Sequence, residues 1–127
     1  MKVVMATMVA SAALGAAALP MSSAAQQPAN AARGKTLFQQ RCAACHSVAP
    51  NGRSVGPNLV GVVGRKAAAA QFNYSPAMKK SGLVWDSATL DKYLATPTKT
   101  VPGTRMVIGT PAAPDRAAII AYLNGVR

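Results

Sequence analysis

Both cysteines and the only histidine of this 127-residue chain lie together in Cys42-Ala43-Ala44-Cys45-His46. Whatever the chain folds into must use that cluster as a unit. A structural zinc needs four protein ligands, and only three Asp, with no Glu, are present to complete the set. A thioredoxin-like dithiol belongs at a helix start inside a βαβ pattern, and no strand–helix alternation surrounds this one. A disulfide between thiols three positions apart closes too small a loop to stabilise much, and it leaves His46 idle. Cys-x-x-Cys-His is the attachment signature of a covalent c-type haem. Cys42 and Cys45 would add across the two vinyl groups, and His46 would place an imidazole on the iron.

The start of the chain reads as an export signal. Lys2 is a charged n-region, Val3 to Leu19 is an uncharged apolar run, and Ser23-Ala24-Ala25 offers a small-residue cleavage site. That run is short and Ala-rich for a membrane span. The expectation is a signal peptide over 1–25, a single domain over 26–127 and a periplasmic protein. No other stretch is apolar enough to cross a bilayer.

A domain of this size has a marginal apolar core of its own. Its aromatics are few: Phe38, Phe72, Tyr74, Trp85, Tyr93 and Tyr122. A large apolar cofactor would supply the missing core, and folding would then depend on it, as small metal domains depend on metal.

Charge is the second strong constraint. Fourteen Lys and Arg face three acids, a formal charge of +11. Such a field speeds encounter with an acidic partner and says little about fold. The basic residues are scattered, without the interleaved aromatics of a nucleic-acid surface, so no nucleic-acid partner is expected. Contact with an anionic membrane would be peripheral at most.

The periodicity is helical. Asn30 can cap a first helix running to about Ala44, with Ala31, Gly34, Leu37 and Phe38 on one face. Ahead of it, Gln26 to Ala29 reads as a mobile lead-in. Residues 47–67 carry Pro50, Asn51-Gly52, Gly56-Pro57, Gly61 and Gly64, the punctuation of a loop. Ser75-Pro76 opens a short helix ending near Gly82. Ser87 caps another that runs to Thr96 before Pro97. Residues 97–114 read as a second loop, and a last helix starts at Pro114-Asp115 with Ile119, Ile120, Tyr122, Leu123 and Val126 as its apolar face. No segment alternates as a strand. The class is all-α with long loops, and loops of that length call for a function, which wrapping a haem would be.

The sixth iron ligand separates electron carrier from haem enzyme. Beyond the signal only Met78 and Met106 remain. Met106 ends the turn Pro102-Gly103-Thr104-Arg105-Met106, whereas Met78 sits in a predicted helix, where packing is its ordinary role.

In motif order and spacing the chain resembles the class I c-type cytochromes, mitochondrial and soluble bacterial. The features are the haem motif, Gly56-Pro57-Asn58-Leu59, Gly64-Arg65-Lys66, Tyr74-Ser75, Trp85, Tyr93-Leu94, the Pro102–Met106 turn and Tyr122-Leu123. The resemblance implies a small cytochrome c fold around one haem c, with His46 and Met106 on the iron. It implies that the Pro57 carbonyl accepts from the His46 ring, and that Tyr74 and Trp85 hydrogen-bond a haem propionate with Arg65 nearby. Tyr93 and Thr104 would line the methionine side, and Gly34, Phe38 and Tyr122 would form a crossing of first and last helices. Two departures stand out: Met78 replaces a residue that is polar in mitochondrial members, and the stretch from Met106 to Asp115 is slightly shorter.

The function implied is a monomeric one-electron carrier between larger, acidic redox proteins. An enzymatic haem site needs an open iron and a distal acid–base group; the single His is already used, and Asp86, Asp91 and Asp115 lie away from both ligand motifs. Arg41, Arg53, Lys99 and Arg105 flank the haem and methionine motifs and are expected to form a basic face there, with help from Lys79 and Lys80.

Overall fold

The computed structural model describes residues 23–127; the predicted n-region and apolar run of the signal lie outside the described residues. Five helices follow in order: α1 (Ser23–Arg41), α2 (Pro76–Lys80), α3 (Ser87–Ala95), α4 (Pro97–Thr100) and α5 (Ala113–Asn124). The only β pairing among the described residues is an isolated antiparallel bridge between Lys66 and Val84, so the all-α expectation holds.

Helix α1 packs across α5, and a glycine sets their separation. A Cβ on Gly34 would lie 1.9 Å from the Ala118 carbonyl oxygen and 2.9 Å from Tyr122 Cβ. Hydrogen at that position lets the two backbones touch, which answers why a poor helix former sits mid-helix. One turn on, the Phe38 and Tyr122 rings meet at 5.6 Å between centroids. The crossing expected of Gly34, Phe38 and Tyr122 is therefore present. Asp115, in the first turn of α5, accepts from Arg33 and forms an ion pair with Arg41 at 3.2 Å, both on α1. An acid there also faces the positive end of the α5 dipole.

Helix α3 packs on α5 from another side. Leu90, Tyr93 and Leu94 of α3 join Ile119, Ile120 and Leu123 of α5, with Phe38, Val62, Met78, Trp85 and Val101, in one core. Met78 is buried, as a packing residue should be. Tyr122 and Val126 are only half-buried, so the apolar face of α5 is narrower than its sequence suggests.

Several boundaries differ from expectation. The lead-in 26–29 is helical, and Asn30 is interior to α1. Ala24, Ala25, Gln26 and Gln27 are good helix formers and carry the helix upstream, with Pro28 inside it. At its other end α1 stops at Arg41, because Cys45 N–H and His46 N–H both turn back onto the Cys42 carbonyl, at 3.0 and 2.9 Å. The cap of α3 is Asp86, whose carboxylate accepts from Thr89 N–H at 2.7 Å. Residues 97–114 are not all loop: Pro97 starts the short α4, where a proline suits the first turn. Helix α5 begins one residue early, at Ala113, keeping Pro114 in its first turn. Ser75 caps α2, accepting from Met78 N–H at 3.1 Å.

Candidate haem site

The turn after α1 presents Cys42, Cys45 and His46 together. Both cysteines are free, Cys42 half-buried and Cys45 exposed. Burial pushes the Cys42 thiol up, and the neighbouring Arg41 charge partly offsets this. Burial thus favours the protonated Cys42 thiol, and free thiols are what vinyl addition requires.

The loop that follows folds back and fixes the imidazole. Gly56 N–H donates to the Cys45 carbonyl at 2.6 Å, and Leu59 N–H donates to the Ser47 carbonyl at 2.9 Å. A Cβ on Gly56 would lie 2.8 Å from both the Cys45 oxygen and His46 Cε1, so only glycine lets the loop come this close. The fold-back brings the Pro57 carbonyl 2.8 Å from His46 Nδ1. A carbonyl can only accept, so Nδ1 carries the proton and Nε2 keeps its lone pair for a metal. Asn58 ties the same loop down: its amide donates to the Ala49 and Gly52 carbonyls, and its side-chain oxygen accepts from Val60 N–H. The sequence reading gave Asn58 no role; its place directly after Gly-Pro was the available signal.

Arg65 donates through Nη1 to the Val60 carbonyl and through Nη2 to the Asn58 carbonyl, each at 2.9 Å. Its Nε is buried without any partner. A buried guanidinium N–H left unpaired is costly, and a propionate oxygen would satisfy it. The Lys66–Val84 bridge sets Arg65 beside Trp85, whose backbone N–H donates to the Arg65 carbonyl at 2.9 Å. Trp85 is buried against Tyr93, with centroids 4.9 Å apart, and half-buried Tyr74 meets Phe72 edge-on at 5.1 Å.

Tyr93 of α3 and Thr104 of the loop before Met106 share a buried hydroxyl–hydroxyl bond of 2.7 Å. Burial raises the Tyr93 phenol above its ordinary range, and the bond to Thr104 partly opposes the shift. Thr104 Oγ1 also accepts from Met106 N–H at 3.3 Å. Tyr93 of α3 thereby positions the Met106 backbone through one hydroxyl. Met106 is half-buried and packs against the core, while Val107 and Ile108 just beyond it are exposed.

The side chains expected to form a basic face around these motifs are exposed. Arg41 is paired with Asp115 at the α1–α5 crossing, because Asp115 lies within reach of two α1 arginines. Arg105 stays exposed and donates to the Asn73 carbonyl at 2.5 Å. Arg53, Lys79, Lys80 and Lys99 are exposed.

The donor set fits a covalent haem: two adjacent thiols, an imidazole with one nitrogen reserved, and a buried orphan N–H for an anionic substituent. Among the described residues no three His, Cys, Asp or Glu side chains gather as a separate metal site. Comparison with known proteins agrees. The cytochrome c family model matches residues 31–127. Cytochrome c2 of Rhodomicrobium vannielii is 49% identical over 110 residues, covering 84% of this chain and 87% of that one. Cytochrome c of Tetrahymena pyriformis is 44% identical over 98 residues, covering 76% and 89% respectively. Among solved structures, cytochrome cH from Methylobacterium extorquens has a TM-score of 0.68 at 48% identity, covering 74% of this chain and 96% of that one. The chain belongs to the cytochrome c family, electron carriers with a single covalent haem c, and Cys42 and Cys45 stand at its attachment positions.

Proposed function

We propose that this protein is a periplasmic, monomeric one-electron carrier with His46 and Met106 as axial ligands, working between larger redox proteins with acidic docking surfaces. When bound, the haem supplies ferric–ferrous cycling, and His/Met ligation raises its potential relative to two nitrogen ligands. The observation that carries the reading is the 2.8 Å bond from His46 Nδ1–H to the Pro57 carbonyl beside two free thiols. It reserves Nε2 and fixes the ring, so the ligand need not reorganise between oxidation states.

The remaining residues take supporting roles. Cys42 and Cys45 form the thioether links. Arg65 Nε, with Trp85 and Tyr74, holds a propionate. Tyr93 and Thr104 hold the Met106 backbone, and the neutral thioether of Met106 favours the less charged ferrous state. Burial in apolar surroundings acts in the same direction. Apart from the iron ligand His46, this site offers no histidine and no Glu as a distal acid–base group, which supports a carrier rather than an enzyme.

Export fits the chain. Cleavage after Ala25 would leave 26–127 as one domain and put Pro28 in the first turn of the trimmed α1, where proline is tolerated. Among the described residues no helix is long and apolar enough to span a membrane. Contact with a membrane would then be peripheral, and nucleic acid plays no part.

The test is spectroscopic. Oxidised holoprotein should show the far-red sulfur-to-ferric-iron band. Met106→Ala should abolish it and open the iron to cyanide, whereas Met78→Leu should keep it. The reverse pattern assigns the ligand to Met78. Cell fractionation and the N-terminus of the purified protein test the location and the cleavage.

A further inference from the structure

Arg116 takes no part in the site described so far, yet it is among the most committed side chains in the fold. It sits on α5 with its side chain only 10% exposed. Its Nε donates to Asp91 Oδ1 at 2.7 Å, and Nη2 reaches Asp91 Oδ2 at 3.4 Å, a two-point pair onto α3. Its Nη1 donates to two successive loop carbonyls, Thr110 at 3.1 Å and Pro111 at 2.6 Å. One guanidinium thus joins α5, α3 and the loop between α4 and α5. Breaking such an arrangement leaves buried charge and carbonyls unpaired, which is costly.

The loop it grips carries Met106. On the approach side Met106 is held by Thr104 and Tyr93. On the exit side Thr110 N–H donates to the Leu94 carbonyl at 2.6 Å, and Arg116 takes the carbonyls of residues 110 and 111. Between these two anchors Val107 and Ile108 project outward, 68% and 74% exposed, and pack little. With so little side-chain burial in that span, the position of Met106 depends on its two ends. The approach anchor was legible as a Tyr and a Thr near the methionine. The exit anchor is Arg116, ten residues further along the chain.

We infer that Arg116 is a positioning residue for the iron's methionine ligand: it holds the exit of the Met106 loop against α3 and α5, and so sets how readily that ligand dissociates. The inference rests on the assignment of Met106 as ligand. A small entering ligand competes with the methionine, so its apparent affinity reports the fraction of molecules with the loop open.

The experiment titrates ferric holoprotein with imidazole, with the far-red band and the reduction potential as further readouts. The variants are Arg116→Met, Arg116→Lys and Asp91→Asn, alongside Met106→Ala and Gly34→Ala. Arg116→Met should raise imidazole affinity by roughly tenfold to a hundredfold, the scale of a lost charged hydrogen-bond set. It should also weaken the far-red band and lower the potential. Arg116→Lys, which can keep one carbonyl and Asp91 but not the fork, should fall between it and the parent, and it stands in for Arg116→Met if that variant yields no holoprotein. Asp91→Asn keeps the loop carbonyls bonded and should shift affinity less than Arg116→Met. Gly34→Ala strains a distant helix crossing, so it should lower thermal stability while leaving imidazole affinity and potential as in the parent. Parent-like affinity and potential in both Arg116 variants would overturn the inference. So would an equal shift in Gly34→Ala, since the effect would then follow global stability. If Met106→Ala keeps the band, the ligand assignment itself is wrong; if it loses the band while the Arg116 variants behave as parent, only the positioning role fails.

Discussion

Gly34→Ala turns the α1–α5 contact into a quantitative test. On helix propensity alone, alanine should stabilise α1 by about 1 kcal/mol over glycine. The structure predicts the opposite sign. The new Cβ would sit 1.9 Å from the Ala118 carbonyl oxygen, 2.5 Å from the Ala118 carbonyl carbon and 2.9 Å from Tyr122 Cβ. Two of those atoms are backbone, so no side-chain rotation relieves the clash, and α1 and α5 must move apart. That separation also loosens the Phe38–Tyr122 pair and the Ile119 core beneath it. Overpacking of this kind costs about 1–3 kcal/mol. A contact this short belongs at the upper end, so after the propensity gain the net loss should be about 2 kcal/mol. For a domain of this size that lowers Tm by roughly 8–16 °C. Thermal unfolding of the holoprotein, followed by far-ultraviolet circular dichroism, measures it. Gly125→Ala is the matched control: its φ of −87° suits any residue, and its added Cβ meets nothing closer than the Tyr122 oxygen at 3.5 Å. That variant should stay within about 0.5 kcal/mol of the parent. A Gly34→Ala protein as stable as the parent would refute the close-contact argument.

Other outcomes follow from single features. Ala68 holds a left-handed φ of 59°, which costs an alanine about 1–2 kcal/mol, so Ala68→Gly should raise Tm in the same assay despite the greater freedom of glycine in the unfolded chain. The Asp86 carboxyl is held below its ordinary value chiefly by Thr89 N–H; the stability this gives is present above the unfolded aspartate value and lost as pH falls through the lowered folded one. Asp86→Asn keeps an acceptor for that N–H, so its denaturation midpoint should depend less on pH across that acid window. Arg105→Glu should slow second-order electron transfer with an acidic partner, flatten its salt dependence and leave the visible spectrum unchanged, because rim charges act on association rate. Lys92→Glu, on α3, should do less, and equal effects from the two would mean that net charge rather than a localised face steers the encounter.

What was legible in the sequence follows the range of the physics involved. Cys42, Cys45 and His46 are a local motif, and local chemistry survives without knowledge of the fold. Helices α2, α3 and α5 announced themselves through Ser75-Pro76, Pro97 and Pro114, residues that restrict their own backbone. The upstream extension of α1 was missed because Pro28 and Asn30 look like helix starters, and the Ala and Gln before them read as a cleavage site and a polar lead-in despite their good helix propensity. The Arg116 clamp was invisible for a different reason. An arginine on an amphipathic helix reads as solvent-exposed, and its burial is decided by Asp91 and by carbonyls that loop closure brings to it. The Arg41–Asp115 pair was invisible on the same ground, since Asp115 reaches Arg41 only through the helix crossing.

The fate of the three carboxylates has a consequence for how the carrier senses its surroundings. Asp86 caps a helix, Asp91 is held by Arg116, and Asp115 is shared by two arginines. The lone histidine is turned inward, bonded to Pro57. The rest of the side-chain charge is Lys and Arg. Each carboxylate side chain is therefore engaged within the fold, and the unpaired side-chain charge this molecule turns outward is of one sign. An approaching surface is sorted by its sign, acid drawn in and base turned away, before any contact is made.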